Sequence, residues 1–143
     1  MNLSVLFLLK TLVGAIIFCI ATIHFYWVFG GKWGLSVSLP EIESQNSKAM
    51  KPGPFLTILV ALAFLMMSLI VFGSTLLPFS ENQFYYLRLA IAIVFIFRSI
   101  GDFKYFGFFK KIKKTPFAKY DNSFFTPLTF FVGVILLLTT ILA

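Results

Sequence analysis

The chain has 143 residues, of which 59% are hydrophobic and 12% are charged. About a quarter of the residues of a soluble domain are charged, so this composition excludes an ordinary soluble domain and indicates a membrane protein. Twelve lysines and arginines against five acids give a formal net charge of +7. In a membrane protein, such an excess indicates contact with an anionic lipid surface.

Four apolar runs cover most of the chain, at residues 3–29, 55–77, 84–100 and 124–142. Each is close to the roughly 20 residues that a helix needs to cross about 30 Å of hydrocarbon. Helices are expected because unpaired backbone groups are costly in lipid and because the runs lack the alternating polar positions of a membrane barrel. The sequence therefore predicts an all-α, four-helix transmembrane bundle that forms one integral membrane domain over residues 1–143.

The first run closes on the stretch "HFYWVFGGKWG" at residues 24–34. Its histidine, His24, has two interpretations: proton transfer or hydrogen bonding to a polar ligand, or a helix-end histidine bonded to a loop carbonyl. Tyr26 and Trp27 are rings typical of the headgroup belt, and they are also candidates to pack the apolar stem of a ligand. Gly30 and Gly31 are expected to end the helix.

The third run ends near Arg98, a second candidate binding residue. Its planar guanidinium suits a carboxylate or a phosphate head group. The alternative is an ion pair with Asp102, which shares a helix face with Arg98 if the helix continues past Gly101.

The loop between the third and fourth helices contains "FKYFGFFKKIKKTPFAKY" at residues 103–120, in which lysines alternate with aromatic rings. We expect this basic-aromatic loop to lie along the membrane interface and to bind anionic lipids through the segment from Lys104 to Lys119. Pro116 is expected to break any helix that forms there, and Gly107 is expected to weaken it. Similar mixtures of basic and aromatic side chains bind nucleic acid in soluble proteins. In a membrane protein this segment always lies next to a lipid surface, so no nucleic-acid partner is expected.

Asp121 lies just before the fourth run, where a carboxylate complements the positive end of a helix dipole. The sequence favours a helix-capping role for this residue. Because His24, Arg98 and Asp102 all fall near the same end of the predicted bundle, the sequence also predicts one shallow polar pocket there, to which Asp121 contributes.

The lysines indicate which way the bundle faces. The first and third loops hold most of them, whereas the middle loop, "PFSENQ", has no basic residue. The positive-inside rule therefore places the first and third loops in the cytoplasm and both chain termini outside the cell membrane. Lys10 and Arg88 oppose this bias, but long basic side chains reach the interface from a turn or two deep.

Metal and cofactor sites have no support in the sequence. The chain has one histidine and one cysteine and no clustered acids within a helix, so it lacks the ligands of a zinc or di-iron site. It also lacks a phosphate-binding glycine loop and a nucleophilic serine elbow. Neither a metal nor a cofactor is expected.

Three blocks of sequence carry a resemblance to a known family: "HFYWVFGGKWG" with Pro40 downstream, "RSIGDFKYFGFFKK" and "FAKYDNSFFTPL". Together they resemble the small bacterial integral membrane proteins catalogued as domain of unknown function 3995, over nearly the whole chain. The resemblance implies the four-helix architecture but no activity. It also implies that five residues belong to the family's motif positions, namely His24, Arg98, Gly101, Asp102 and Asp121.

These observations favour a protein that binds a lipid or amphiphile head group in a pocket of the cytoplasmic leaflet. Arg98 would contact the anion, Asp102 would orient Arg98 and His24 would donate a hydrogen bond. One alternative is an intramembrane enzyme that uses His24 as a general acid or base, with Asp102 or Asp121, on a lipid-like substrate. Another is an accessory or immunity-type protein that pairs with a larger membrane partner, for which the fourth helix offers only a weak small-residue face around Gly133.

Overall fold

The computed structural model describes residues 2–42, 47–48, 52–73 and 76–142. Its elements are, in chain order, α1 (Leu3–Val28), α2 (Leu35–Ser38), β1 (Glu41–Ile42), β2 (Ser47–Lys48), α3 (Pro54–Phe72), α4 (Glu81–Ile100), α5 (Pro116–Tyr120), a π-helical turn (Asp121–Phe125) and α6 (Thr126–Ile141). The two short strands pair antiparallel within the first loop. Because α5, the π turn and α6 follow one another without a break, they form one long helical segment.

Four helical segments are long and apolar enough to cross a membrane: Leu3–Val28, Pro54–Phe72, Glu81–Ile100 and Pro116–Ile141. Their number and type confirm the predicted all-α four-helix architecture. The chain is therefore a multi-pass membrane protein.

The last span begins at Pro116, not at residue 124 as the hydropathy pattern suggested. Proline is well tolerated in the first turn of a helix, because the N–H that it lacks has no partner there in any case. The Thr115 hydroxyl caps this turn by accepting a hydrogen bond from the N–H of Ala118 at 3.1 Å. No helix runs through Pro116, as expected for proline, but a helix starts at this residue.

The spans pack as two pairs, α1 against α3 and α4 against α6, and α1 also contacts α6. Small residues allow the close approaches. The Ser68 hydroxyl of α3 donates to the carbonyl of Gly14 in α1 at 3.0 Å, and a Cβ added to Gly133 of α6 would lie 3.0 Å from the carbonyl oxygen of Ala92 in α4. The buried core between the helices consists of Val13, Ile17, Ile70, Val71, Phe84, Ile91, Ala92, Phe95, Val132 and Leu136.

The first loop, which follows α1, and the third loop, which follows α4, meet at one end of the bundle, where α2 packs against α5. We call this end, formed by residues 29–42 and 101–120, the lysine-rich end. Residues 101–115 contain no regular helix, and the side chains of Phe103, Phe108 and Phe109 are exposed there. The loop thus presents apolar rings beside its lysines, as an interfacial segment does.

Candidate functional site

A fully buried carboxylate, Asp121, lies at the centre of the polar contacts of the lysine-rich end. Its Oδ1 accepts from Arg98 Nη2 at 2.7 Å, and its Oδ2 accepts from Lys110 Nζ at 2.8 Å. The Gly107 N–H and the Thr126 hydroxyl also donate to Oδ2, at 2.9 and 3.0 Å. We call these five residues the Asp121 cluster. Through it, one side chain connects α4, the third loop and the last span.

The π turn explains how one carboxylate reaches so many donors. Asp121–Phe125 forms a turn in which the N–H of Thr126 bonds to the carbonyl of Asp121, five residues earlier. This wider turn lets the Thr126 hydroxyl reach the Asp121 carboxylate at the same spacing. Single π turns within α-helices are frequent at functional sites. Asp121 is therefore built into the middle of the last helical segment and is not the terminal cap that the sequence favoured.

Lys110 is the second buried charge of the cluster, and its side chain is fully shielded from solvent. Its ammonium donates to Asp121 Oδ2, to the Gly107 carbonyl at 3.2 Å and to Asn122 Oδ1. All three of its N–H donors are thus used, which is the condition for burying an ammonium at a tolerable free-energy cost. Two cations share one carboxylate, so the cluster keeps one uncompensated positive charge.

Arg98 is the member of the cluster that reaches the surface, with its side chain 30% exposed. The ring of Phe106 covers the guanidinium, with 4.5 Å between its centroid and Arg98 Cζ. One nitrogen, Nη1, is buried and has no hydrogen-bond partner among the described residues. A buried donor left unpaired costs about 1–3 kcal/mol, so Nη1 is an unsatisfied hydrogen-bond donor within the described part of the chain.

Two glycines let the third loop return to the cluster. Gly101 ends α4 with φ +96°, and a Cβ added there would collide with the carbonyl oxygen of Phe106. Gly107 has φ +89°, and an added Cβ would lie 2.6 Å from the backbone nitrogen of Gly101. This crossing of two backbone segments brings the N–H of Gly107 to Asp121.

Asp102 does not form the predicted pair with Arg98, because α4 ends at Ile100 and the two residues no longer share a helix face. Its Oδ1 instead accepts from the N–H groups of Lys104, Tyr105 and Phe106, at 2.9, 2.7 and 3.1 Å. Partial burial alone would raise the pKa of Asp102, but the three N–H donors outweigh it and hold the pKa below its ordinary value of 3.8. Asp102 therefore organises the start of the third loop, and the carboxylate that Arg98 meets is Asp121.

The contacts described for His24 are with residues outside this cluster. Its Nδ1 donates to the carbonyl of Ile20 at 2.8 Å, since a carbonyl can only accept. The imidazole packs against Trp27 and Phe64, with centroid distances of 4.8 and 5.1 Å. Within the described part of the chain, it forms no hydrogen bond or ion pair with Arg98, Asp102 or Asp121. The helix-end interpretation accounts for these contacts, although the bonded carbonyl belongs to α1 itself and not to a loop.

Tyr26 and Trp27 hold the turn that follows α1. Trp27 Nε1 donates to the Trp33 carbonyl at 2.8 Å, and the Gly31 N–H donates to the Tyr26 carbonyl at 2.9 Å. A Cβ on Gly31 would collide with the Tyr26 ring. The two rings thus shape the first loop, and among the described residues neither forms a hydrogen bond with the Asp121 cluster.

A second feature of the lysine-rich end is an open depression of about 650 Å³ at the start of the last span. We call it the lysine depression. It is lined by Lys113, Lys114, Thr115, Pro116, Lys119, Tyr120, Asn122 and Ser123. Asn122 belongs to both features, because its Oδ1 accepts from Lys110 of the Asp121 cluster.

Sequence reasoning missed Lys110, Thr126 and the depression. Lys110 is the first residue of the run "KKIKK", in which surface lysines are expected. Nothing in the sequence distinguishes this buried residue from its exposed neighbour Lys111. Thr126 follows Asp121 by five residues, a spacing that signals proximity only once a π turn is known. A depression depends on chain segments meeting, which the sequence pattern does not show.

The arrangement suits an anion and not a metal ion. Oδ2 of Asp121, the best candidate ligand atom, already accepts from Gly107, Lys110 and Thr126. Within the described ranges, no three histidine, cysteine or acidic side chains are grouped closely enough to hold a metal ion. The exposed lysines of this end and the partly exposed Arg98 are cationic donors, which can pair with negatively charged groups.

Comparison with known families adds one firm result. The family described as "Protein of unknown function (DUF3995)" matches residues 17–136, most of the chain. The chain belongs to this family. The match extends from the interior of α1 into α6 and includes His24 and the whole Asp121 cluster, so the resemblance seen in the three sequence blocks is confirmed. No curated protein and no solved structure matches the chain.

Proposed function

We propose that the protein binds the anionic head group of a lipid or related amphiphile at its lysine-rich end, with Arg98 as the residue that contacts the anion. One observation carries this proposal: a guanidinium at the membrane boundary has a buried nitrogen with no hydrogen-bond partner among the described residues. An acceptor oxygen bound there would remove the free-energy cost of the unpaired donor.

The charges of the cluster also support an anionic ligand. Arg98 and Lys110 share the single carboxylate of Asp121, so an additional anion would neutralise the remaining positive charge. A guanidinium can pair with two oxygens at once, which favours phosphate and carboxylate groups. Asp121 pairs with Nη2 of this guanidinium, and Nη1 has no hydrogen-bond partner among the described residues.

Each neighbour of Arg98 has a part in this proposal. Asp121 is a positioning residue, because it fixes Nη2 of Arg98. Lys110 in turn holds Asp121, and the Phe106 ring covers the guanidinium face. His24, Tyr26, Trp27 and Asp102 have other contacts, so the proposed site is smaller than the pocket predicted from the sequence.

The proposal places this end of the bundle at the cytoplasmic leaflet, with both chain termini outside. Lysines concentrate in the two loops that meet here, and basic loops remain in the cytoplasm. The anionic lipids of that leaflet would then lie beside Arg98.

The test is titration of the detergent-solubilised protein with phosphatidylglycerol, with bound lipid measured by native mass spectrometry. Arg98→Lys keeps the positive charge but removes the planar fork. We expect it to weaken binding about tenfold, since a hydrogen bond to a charged group contributes about 1.5–3 kcal/mol. The matched control is Arg88→Lys, the same change at the other end of α4, where Arg88 Nε bonds to the carbonyl of Ile70.

Equal loss of binding in both variants would contradict a specific role for Arg98 and indicate a general effect of arginine on the fold. Unchanged binding in Arg98→Lys would overturn the proposal itself. Thermal unfolding of each variant in the same detergent shows whether a loss of binding reflects a loss of folded protein.

A further inference from the structure

We infer that the lysine depression is a second anion site and that its ligand is a phosphate group carrying two negative charges, such as a phosphomonoester. This inference rests on the proposed function only for its location at a membrane boundary. It concerns different side chains from those that contact the head group at Arg98.

Three of the eight residues that line the depression are lysines. Lys113, Lys114 and Lys119 are all exposed there, and none of them forms an ion pair within the described part of the chain. No acidic side chain contributes to the lining. Three lysines thus line one open volume whose lining contains no acidic side chain.

The other polar groups of the lining are able to donate hydrogen bonds as well. Asn122 uses its Oδ1 to accept from Lys110, which leaves its amide N–H groups to donate. Ser123 and Tyr120 add hydroxyl groups. A phosphate group presents only acceptors when it is fully ionised, so this lining complements it.

The number of cations distinguishes between classes of phosphate. A phosphodiester head group carries one negative charge, whereas a phosphomonoester carries about 1.5 to 2 at neutral pH, with a second pKa of about 6. Lysine binds phosphate as a point charge, so three lysines around one volume favour the more highly charged group.

The position of the depression is suited to a lipid head group. Its wall includes Pro116 and Tyr120, the two ends of α5, at the start of the last membrane-spanning segment. The same phosphate chemistry also occurs in soluble phosphomonoesters and in inorganic phosphate. The experiment therefore includes both sources.

The test compares nanodiscs that contain phosphatidate, a phosphomonoester lipid, with nanodiscs that contain phosphatidylglycerol, a phosphodiester lipid, at matched surface charge. Bound lipid is measured by native mass spectrometry. We expect the wild-type protein to prefer phosphatidate, and we expect each of Lys113→Ala, Lys114→Ala and Lys119→Ala to lower its affinity for that lipid about fivefold. Lys111→Ala, an exposed lysine of the same run outside the lining, is the matched control and should leave the preference unchanged.

Two further measurements test the assignment of this site to a phosphomonoester. The preference should decline as the pH falls below about 6, because the phosphomonoester then loses its second charge. Ser123→Asp places a negative charge in the depression without removing a lysine and should also abolish the preference.

The source of the phosphate is determined by adding inorganic phosphate or glycerol phosphate to the nanodiscs that contain phosphatidate. Competition by inorganic phosphate or glycerol phosphate, lost in Lys113→Ala, would assign the site to a soluble phosphate. Retention of phosphatidate alone would assign it to a lipid.

Equal affinity of the wild-type protein for phosphatidate and phosphatidylglycerol would overturn this inference. So would an equal effect of Lys111→Ala and Lys113→Ala. In either case the proposed function would stand if Arg98→Lys still weakened the binding of both lipids. If Arg98→Lys had no effect while the depression variants lost their preference, the proposed function would fail and this inference would stand.

Discussion

Asp121 has more polar partners than the other acidic side chains whose contacts the structure describes, and two of these partners are cations. Arg98 and Lys110 both direct an N–H group at this carboxylate, and Lys110 is buried completely. Removing one partner of a buried ion pair leaves the other charge uncompensated, which costs far more than the pair itself gains. The residue therefore matters first for the stability of the lysine-rich end and, through Arg98, for the proposed binding.

Asp121→Asn tests this role at the scale of a single side chain. The amide has nearly the same shape but no charge, so two cations would remain without a counter-ion. We expect a loss of about 3–5 kcal/mol in the free energy of unfolding, measured by denaturant titration in detergent.

The matched control is Asp102→Asn, at an exposed carboxylate whose partners are backbone N–H groups of its own loop. It should have a much smaller effect. Similar stability of Asp121→Asn and the wild-type protein would contradict the buried ion-pair network.

At the scale of elements, the third loop is shaped by backbone contact between its two glycines. Gly101 and Gly107 both have positive φ, and each lies where the other leaves no room for a Cβ. This loop then presents Lys110 and the Gly107 N–H to the π turn of the last span. The site thus depends on a loop conformation more than on helix packing.

A comparison of Gly107→Ala with Gly30→Ala separates the loss of stability caused by atomic overlap from the loss caused by a positive φ. Both glycines have φ +89°, but an added Cβ meets nothing within 4 Å at Gly30. Gly30→Ala should therefore lower the free energy of unfolding by only about 1–2 kcal/mol, the cost of placing an alanine in the left-handed conformation. Gly107→Ala should cost clearly more and should release Lys110, detected as increased reactivity of this lysine to an amine-specific label. Equal stability of the two variants would contradict the role assigned to the glycine contact.

The helix contacts also bear on the partner hypothesis. Gly133, the small residue that a partner helix would need, is buried against α4 beside Ala92 and Ile96. Its close approach is thus used within the bundle. The small-residue face around Gly133 therefore does not support the hypothesis of an accessory protein. The hypothesis of an enzyme that uses His24 remains a prediction.

At the scale of the whole molecule, the distribution of charge divides the bundle into two unlike ends. The loops after α1 and α4 meet at one end and carry most of the lysines. The opposite end holds the capping box that starts α4, formed by Ser80 and Gln83. This asymmetry is the basis for the proposed orientation.

Cysteine accessibility tests the orientation in a Cys19→Ala background. Asn82→Cys and Lys113→Cys place one exposed thiol at each end of the bundle. We expect a membrane-impermeant thiol reagent added to intact cells to label the cysteine at position 82 and to reach that at position 113 only after permeabilisation. The reverse pattern would place the lysine-rich end outside the cell.

The sequence by itself determined the membrane class, the number of spans and the family, because long apolar runs and contiguous motif blocks are local properties of the chain. It also indicated Arg98 and Asp121 as important residues, but it paired Arg98 with the wrong acid. The Arg98–Asp121 contact joins residues 23 positions apart, and it forms because α4 stops at Gly101 and the last span begins at Pro116.

Only the tertiary structure decided which lysine of the run is buried, which carboxylate receives the guanidinium and where the lysine depression opens. The physical reason is that hydropathy depends on composition within one segment. An ion pair or a concave surface, by contrast, depends on the relative positions of several segments. Here two glycines, one proline and a π turn set those positions, and their effect becomes visible only when the backbone path is known.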